Sequence, residues 1–251
     1  MSMLSRHLIL ARKLSRDSIS ECLRRYEMRL SARDLAIIAD LERFRCLSRD
    51  DICDIHFCDV KHQVKAANST LLRLYRQGLI DRSDVYNPFV YLPAGSTMKK
   101  NSQKIPHFLE IVRVYRDLLA YEKPSTFLVE PKYSEKGGVE PDIFAIFKRS
   151  PLFIEVQRSI YSEKVMAEKI ARYEKLYASG LLKSESWQPA GRTVFPSLLI
   201  LSPTTRYAVS SSNFPIMQAA SVDDFMRIYT PVVPADPPSK MKSRPLTINL
   251  K

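Results

Sequence analysis

Four polar residues lie on elements predicted over residues 105–230, and the two carboxylates among them that fall on successive strands could bind a metal ion. Glu110 lies near the start of an amphipathic helix that the pattern over 105–123 predicts. Asp142 opens a strand-like run, and the next run carries Glu155 and Gln157. Carboxylate oxygens are hard ligands that suit Mg²⁺, and a metal ion between Asp142 and Glu155 would lower the pKa of bound water.

The elements that would position these residues are a helix, a three-stranded meander, a long helix, further strands and a short helix. The strand-like runs are STFLVEPKYS, VEPDIFAIF, PLFIEVQRSI, FPSLLILS and PIMQAA. The long helix follows the third run and stops at Gly180, a residue type that commonly ends helices. This order predicts an α/β sandwich around a mixed sheet over residues 105–230.

Each of these polar side chains also has an ordinary structural interpretation. Asp142 can cap a turn after proline, and Glu110 can brace its own helix. Glu155 can form an ion pair with Arg158 or with Lys169. Taken singly, each carboxylate is better explained by its structural role than by a role in a shared site.

The first half of the chain predicts three helices followed by a β-hairpin. Ser31 and Ser48 are expected to cap the first two helices. The core-facing stripe of the first helix is expected to consist of Leu35, Ile37, Ile38 and Leu41. The third helix, over 64–77, ends before Gly78, and two short β-prone runs around a proline-bearing turn follow it. Residues 31–93 are therefore expected to form a winged helix-turn-helix, so the fold class is α+β.

The third helix combines an apolar side with a basic surface. Leu71, Leu72 and Leu74 are expected to face the core, and no acidic residue occurs between Val60 and Ile80. Such a helix suits the major groove of DNA, where Asn pairs with adenine and Arg with guanine. The residues expected to contact base edges are Asn68, Ser69 and Arg73. Those expected to hold phosphates are Lys61, Lys65, Arg76 and Arg82.

The overall charge favours a polyanionic partner. Lys and Arg total 39 against 27 Asp and Glu, which gives a formal net charge of +12. Charge alone does not separate nucleic acid from an anionic membrane, but the sequence lacks both a long apolar run and a secretory signal. We therefore expect a cytoplasmic protein without a membrane partner. Composition also predicts a linker over 94–104, a basic arm over 1–30 and a flexible basic tail over 231–251.

The cysteine spacing gives little support for a metal site in the first half. The gaps between Cys46, Cys53 and Cys58 match no usual zinc-binding motif, so free thiols are expected. A metal site that includes His56 and His62 is the alternative.

The placement of the carboxylates resembles the PD-(D/E)XK nuclease superfamily. The resemblance rests on Glu110, Pro141-Asp142 and Glu155-Val156-Gln157. In that superfamily the two strand carboxylates hold a divalent metal ion, a lysine two residues after the second one polarises the attacking water, and a helix glutamate assists. This chain has Gln157 at the lysine position, and an amide can orient water but carries no charge. Lys169 on the following helix could supply the charge from another direction.

The whole arrangement is similar to the replication-relaxation family encoded on plasmids and integrated elements of Gram-positive bacteria. The similarity covers about residues 31–230. The motifs that carry it are RLYRQGLI, PHFLEIV, EPDIFAIF, FIEVQRS and KIARYEKLY. The resemblance implies a winged helix-turn-helix fused to a nuclease-like domain, in proteins associated with plasmid replication or relaxation. It leaves open whether the second domain cleaves DNA.

The sequence supports three hypotheses about function. The first is a protein that binds double-stranded DNA in replication, relaxation or transcriptional control of a mobile element, as a homodimer on paired half-sites. The second is a Mg²⁺-dependent endonuclease or nickase in which Asp142 and Glu155 hold the metal ion and Gln157 orients water. The third is a degenerate nuclease fold used for dimerisation or partner docking.

Overall fold

The computed structural model describes residues 30–133 and 138–229. The expected basic arm, apart from Leu30, and the expected tail over 231–251 lie outside the described residues. Within the described part of the chain, no helix has the length and apolar character that a membrane span requires.

The first two helices begin where serine side chains satisfy free backbone N–H groups. Before α1 (Ala32–Phe44), the Ser31 hydroxyl accepts a hydrogen bond from the Asp34 backbone, and the Asp34 carboxylate accepts one from the Ser31 backbone. Ser48 and its partner three residues later form the same reciprocal pair before α2 (Arg49–His56). These capping boxes confirm both helix starts that the sequence predicts.

Three helices and a small antiparallel sheet form the first part of the fold. A two-residue strand, β1 (Leu47–Ser48), lies between α1 and α2, and sequence patterning did not predict it. The elements after α2 are α3 (Gln63–Arg76), β2 (Ile80–Ser83) and β3 (Val90–Pro93). The strand order is β1-β3-β2, so β3 pairs with strands on both sides.

The core residues of α1 and α3 differ from the prediction at two leucines. Leu35 and Leu72 were expected to face inward, but their exposed fractions are 46% and 41%. Each comes directly after a buried residue of its helix, and successive side chains of a helix point about 100° apart. The stripes consist of Asp34, Ile37, Leu41 and Phe44 in α1, and of Ala67, Leu71 and Leu74 in α3. Both expectations are therefore wrong.

The second part of the fold is a mixed five-stranded sheet between helical layers. Its helices are α4 (Ile105–Leu119), α5 (Glu163–Ser179) and α6 (Val222–Tyr229), with a 3₁₀ turn at Leu181–Ser184. Its strands are β4 (Thr126–Val129), β5 (Ile143–Phe147), β6 (Ser150–Val156), β7 (Ser197–Leu201) and β8 (Ile216–Ala219). The strand order is β4-β5-β6-β7-β8, with antiparallel pairing up to β6 and parallel pairing from β6 to β8. The expected α+β class with a mixed sheet is confirmed.

The sheet separates two apolar layers. Alternate side chains of its strands pack with α4 and α6 on one face, and the others pack with α5 on the opposite face. The chain leaves β6, crosses through α5 and returns in β7 parallel to β6. The carboxyl end of the central strand β6 therefore lies at an end of the sheet to which α4 and α5 both contribute side chains.

Helix α4 also packs against the first part of the fold. One apolar cluster includes Ile37 of α1, Val112 of α4 and Leu199 of β7, so it extends across the expected linker. The Arg116 guanidinium of α4 forms ion pairs with Asp51, at 2.9 Å, and with Asp54 of α2. The helix that begins the second part of the fold therefore also positions α2.

Candidate functional site

The exposed face of α3 carries the polar and basic residues that the sequence singled out. The exposed residues on or just before this helix are Lys61, His62, Val64, Lys65, Asn68, Ser69, Leu72, Arg73 and Arg76. The face opposite them is buried in the core, which fixes the direction in which the exposed residues point. The helix ends before Gly78, whose φ of 71° is a left-handed conformation that glycine adopts without strain. The chain therefore presents a fixed helical surface with no acidic residue.

Arg73 is exposed on α3 but forms an ion pair with α1. Its Nη2 atom lies 2.6 Å from Oδ1 of Asp34, a carboxylate that is only 2% exposed. Burial alone would raise the pKa of Asp34, but hydrogen bonds from the Ser31 backbone and from Arg73 hold it below its usual value. Arg73 therefore anchors α3 to the capped start of α1.

Arg82 is held between α3 and the β2–β3 hairpin. Its Nε atom donates to Oδ1 of Asp84 at 2.7 Å. Its guanidinium carbon lies 4.9 Å from the ring centre of Tyr75 and 4.2 Å from that of Phe89. These contacts fix the hairpin beside α3, and a groove of about 260 Å³ that includes Asn68 separates the two.

Glu155 lies in a buried, fully bonded charge cluster. Its side chain is 1% exposed. Oε1 accepts a hydrogen bond of 2.5 Å from the hydroxyl of Tyr173, and Oε2 is paired with Nζ of Lys169. Of the two ion-pair partners that the sequence offered, the structure therefore selects Lys169.

Asp142 lies directly before β5, beside the end of β6. Its Oδ2 accepts a hydrogen bond of 2.7 Å from the backbone of Val156, and its Oδ1 lies 3.3 Å from Nε2 of His107. The aspartate therefore ties β5 to the neighbouring strand and to α4. The turn-capping role considered from the sequence is replaced by this cross-strand contact.

The cluster shifts the pKa of each of its charged groups. Burial, together with the charge of Asp142, raises the pKa of Glu155 to about 7. Burial opposes the charged form of Lys169, but the carboxylates of Glu155 and Asp142 outweigh it and raise the pKa of that lysine. The hydrogen bond to Asp142 raises the pKa of His107 against the effect of burial. Burial alone would raise the pKa of Asp142, but His107 and Lys169 hold it below its usual value.

Glu110 and Gln157 share a cavity that these two carboxylates do not line. The cavity has a volume of about 380 Å³ and is formed by α4, the start of α6 and the residues that follow β6, β7 and β8. Glu110 is paired with Arg113 at 2.7 Å, which is the helix-bracing role considered from the sequence. The Oε1 atom of Gln157 is buried without a hydrogen-bond partner in the described residues.

Sequence reasoning missed His107 and Tyr173. His107 stands three residues before Glu110 on the same helix, and Tyr173 follows Lys169 by four residues, so each shares a helix face with a residue already singled out. Helical spacing from Glu110 and Lys169 could therefore have found both. What spacing could not provide is the direction in which these faces point.

The described residues do not offer Mg²⁺ a ready set of ligands. They contain no group of three or more His, Cys, Asp or Glu side chains placed to hold a metal ion. All four carboxylate oxygens of Asp142 and Glu155 contact protein donors. A metal ion does not fit this arrangement unless those donors move, and we derive no reaction step through one.

Comparison of the chain with protein-family models, with curated proteins and with solved structures found no match.

Proposed function

We propose that the protein binds duplex DNA, with α3 in the major groove and the β2–β3 hairpin as the wing of a winged helix-turn-helix. The observation that carries this proposal is the exposed, acid-free face of α3. The element order α1-β1-α2-α3-β2-β3 also supports it, because a winged helix places its recognition helix directly before the hairpin.

The exposed side chains suit different parts of the duplex. Lys61, Lys65 and Arg76 are free to reach phosphates, because none of them forms an ion pair among the described residues. Asn68 and Ser69 lie where they could reach base edges. Arg73 and Arg82 are already engaged within the protein, so DNA contacts by either would have to compete with Asp34 or with Asp84.

We further propose that the protein acts on the DNA of a plasmid or integrated element, in replication, relaxation or transcriptional control. The second part of the fold then serves as a nuclease-like scaffold, because its carboxylates are engaged in the protein's own ion pairs. Homodimers on paired half-sites would multiply the affinity of a single winged helix. Light scattering of the full chain on selected duplexes tests this part, and a mass of one chain per duplex would contradict it.

Fluorescence polarisation with a labelled duplex of random sequence tests DNA binding. We expect the Lys61→Ala/Lys65→Ala/Arg76→Ala variant to bind roughly tenfold or more weakly at low salt. The matched control is Lys164→Ala/Arg172→Ala/Lys175→Ala, which removes the same charge from exposed positions of α5. Equal loss of affinity in both variants would mean that total charge, and not the face of α3, determines binding.

Metal-dependent DNA cleavage is the second candidate function. The observation in its favour is that Asp142 and Glu155 interact electrostatically at one sheet edge, with Lys169 close to both. The absence of a free carboxylate oxygen there argues against it. Supercoiled plasmid incubated with the protein and Mg²⁺ or Mn²⁺ should therefore stay intact. Nicking that Asp142→Ala abolishes, without loss of DNA affinity, would establish the enzyme instead.

A further inference from the structure

Leu72 is an exposed apolar residue within the basic face of α3. It follows Lys65 by seven residues and precedes Arg76 by four, so all three share one helix face. Its exposed fraction is 41%, whereas Leu71 beside it is fully buried. Leu72 lines the groove that also includes Tyr75 and Phe89, but this packing leaves much of its side chain in solvent among the described residues.

The chemistry of the surrounding face limits what could cover this leucine. An apolar protein surface would have to bury the lysine and arginine beside it without counter-charges, which is costly. The DNA major groove instead offers phosphates at its borders and one apolar group on its floor, the C5-methyl of thymine. A surface with cations around one aliphatic side chain matches that pattern.

Asn68 is placed to contact a base next to the one that Leu72 would contact. It precedes Leu72 by one helical turn, so the two side chains project from the same side of α3. An asparagine amide can pair with N6 and N7 of adenine in the major groove. Adjacent adenine and thymine bases would therefore satisfy both residues.

We propose that Leu72 contacts the C5-methyl of thymine, so that the protein favours A·T pairs under the middle of α3. This inference rests on the proposed binding of duplex DNA. It assigns Leu72 as a specificity-determining residue whose removal changes the preferred sequence and leaves phosphate contacts intact.

Replacement of thymine by uracil tests this contact, because uracil lacks the C5-methyl group and is otherwise identical to thymine. The full chain first selects duplexes from a random library, and each selected duplex is then prepared with uracil in place of thymine. We expect the protein to bind the uracil duplex about three- to fivefold more weakly, the effect of one buried methyl group. Leu72→Ala should bind the two duplexes equally, with an unchanged salt dependence.

Val64→Ala is the matched control, because Val64 is a second exposed apolar residue of the same helix, with an exposed fraction of 47%. It should retain the preference for thymine. Equal binding of thymine and uracil by the parent protein overturns the proposal, as does a preference that survives Leu72→Ala. Salt-dependent DNA binding without a thymine preference contradicts this inference alone, whereas no binding to any duplex contradicts the proposed function as well.

Discussion

The α3 face and the carboxylate cluster are both rich in charge, but the protein treats their charges in opposite ways. On α3, Lys65 and Arg76 extend into solvent and form no ion pair among the described residues. At the sheet edge, both oxygens of Glu155 and of Asp142 are matched by donors within the fold. Charges left in solvent are available to a partner, whereas each buried charge needs its partner within the fold to offset the cost of desolvation. This difference is the reason why we propose a binding role for α3 and a structural role for the cluster.

The largest expected effect is the loss of stability when the buried ion pair is broken. Lys169→Met leaves the Glu155 carboxylate buried beside Asp142 without its cation. We therefore expect the free energy of unfolding to fall by about 3–5 kcal/mol. Urea denaturation measures this change. Lys175→Met, at an exposed position of the same helix, is the control and should leave stability nearly unchanged. Equal midpoints for the two variants would show that the cluster contributes little to folding.

A smaller effect is expected from pH. Because the pKa of Glu155 is raised from 4.5 to about 7, the native state binds more protons than the unfolded state between those values. As far as this group is concerned, stability should therefore be greatest below about pH 4.5 and should fall by roughly 3 kcal/mol as pH rises to about 7. The raised pKa of His107 acts in the same direction, since that stabilisation is lost as pH rises through its folded-state pKa.

Urea midpoints measured from pH 5 to pH 8 check this slope, because the neutral variant Glu155→Gln should flatten most of it. A parent protein whose stability is constant or rises over this range would contradict the assignment of a buried, weakly acidic Glu155.

The smallest expected effect on stability distinguishes two arginines of α3. Arg73→Ala removes the ion pair to Asp34 and should lower stability by about 1 kcal/mol, since the arginine is 42% exposed and solvent weakens the pair. Arg76→Ala should leave stability unchanged and lower DNA affinity instead. Parallel urea and DNA titrations of both variants give the answer. If Arg73→Ala alone changed sequence preference while stability stayed constant, the base-contacting role predicted from the sequence would be the correct one.

Local chemistry in the sequence predicted much of the fold. The capping serines Ser31 and Ser48 and the terminating glycine Gly180 each act within a few residues, so their effects can be predicted without tertiary structure. The positions of the second part's strands along the chain were predicted from short β-prone apolar runs. The two-residue strand β1 was missed because its pairing partner is Val90–Tyr91, far away in the chain.

The candidate sites were harder to predict because they depend on side-chain direction. Leu71 and Leu72 are equally apolar, and only packing shows that the first is buried and the second exposed. The sequence offered both Arg158 and Lys169 as partners of Glu155, and only the fold shows that α5 directs Lys169, whose side chain is 17% exposed, toward that carboxylate. Periodicity identifies helix faces, but tertiary packing decides what each face meets.

Salt dependence of DNA binding by the full chain tests the central claim most directly. If the α3 face holds phosphates, the logarithm of the association constant should fall linearly with the logarithm of salt concentration. Contacts by Lys61, Lys65 and Arg76 predict a slope of about −3 or steeper, since each phosphate contact contributes about −0.9. Affinity that does not change with added salt, or no measurable binding at low salt, would contradict the account.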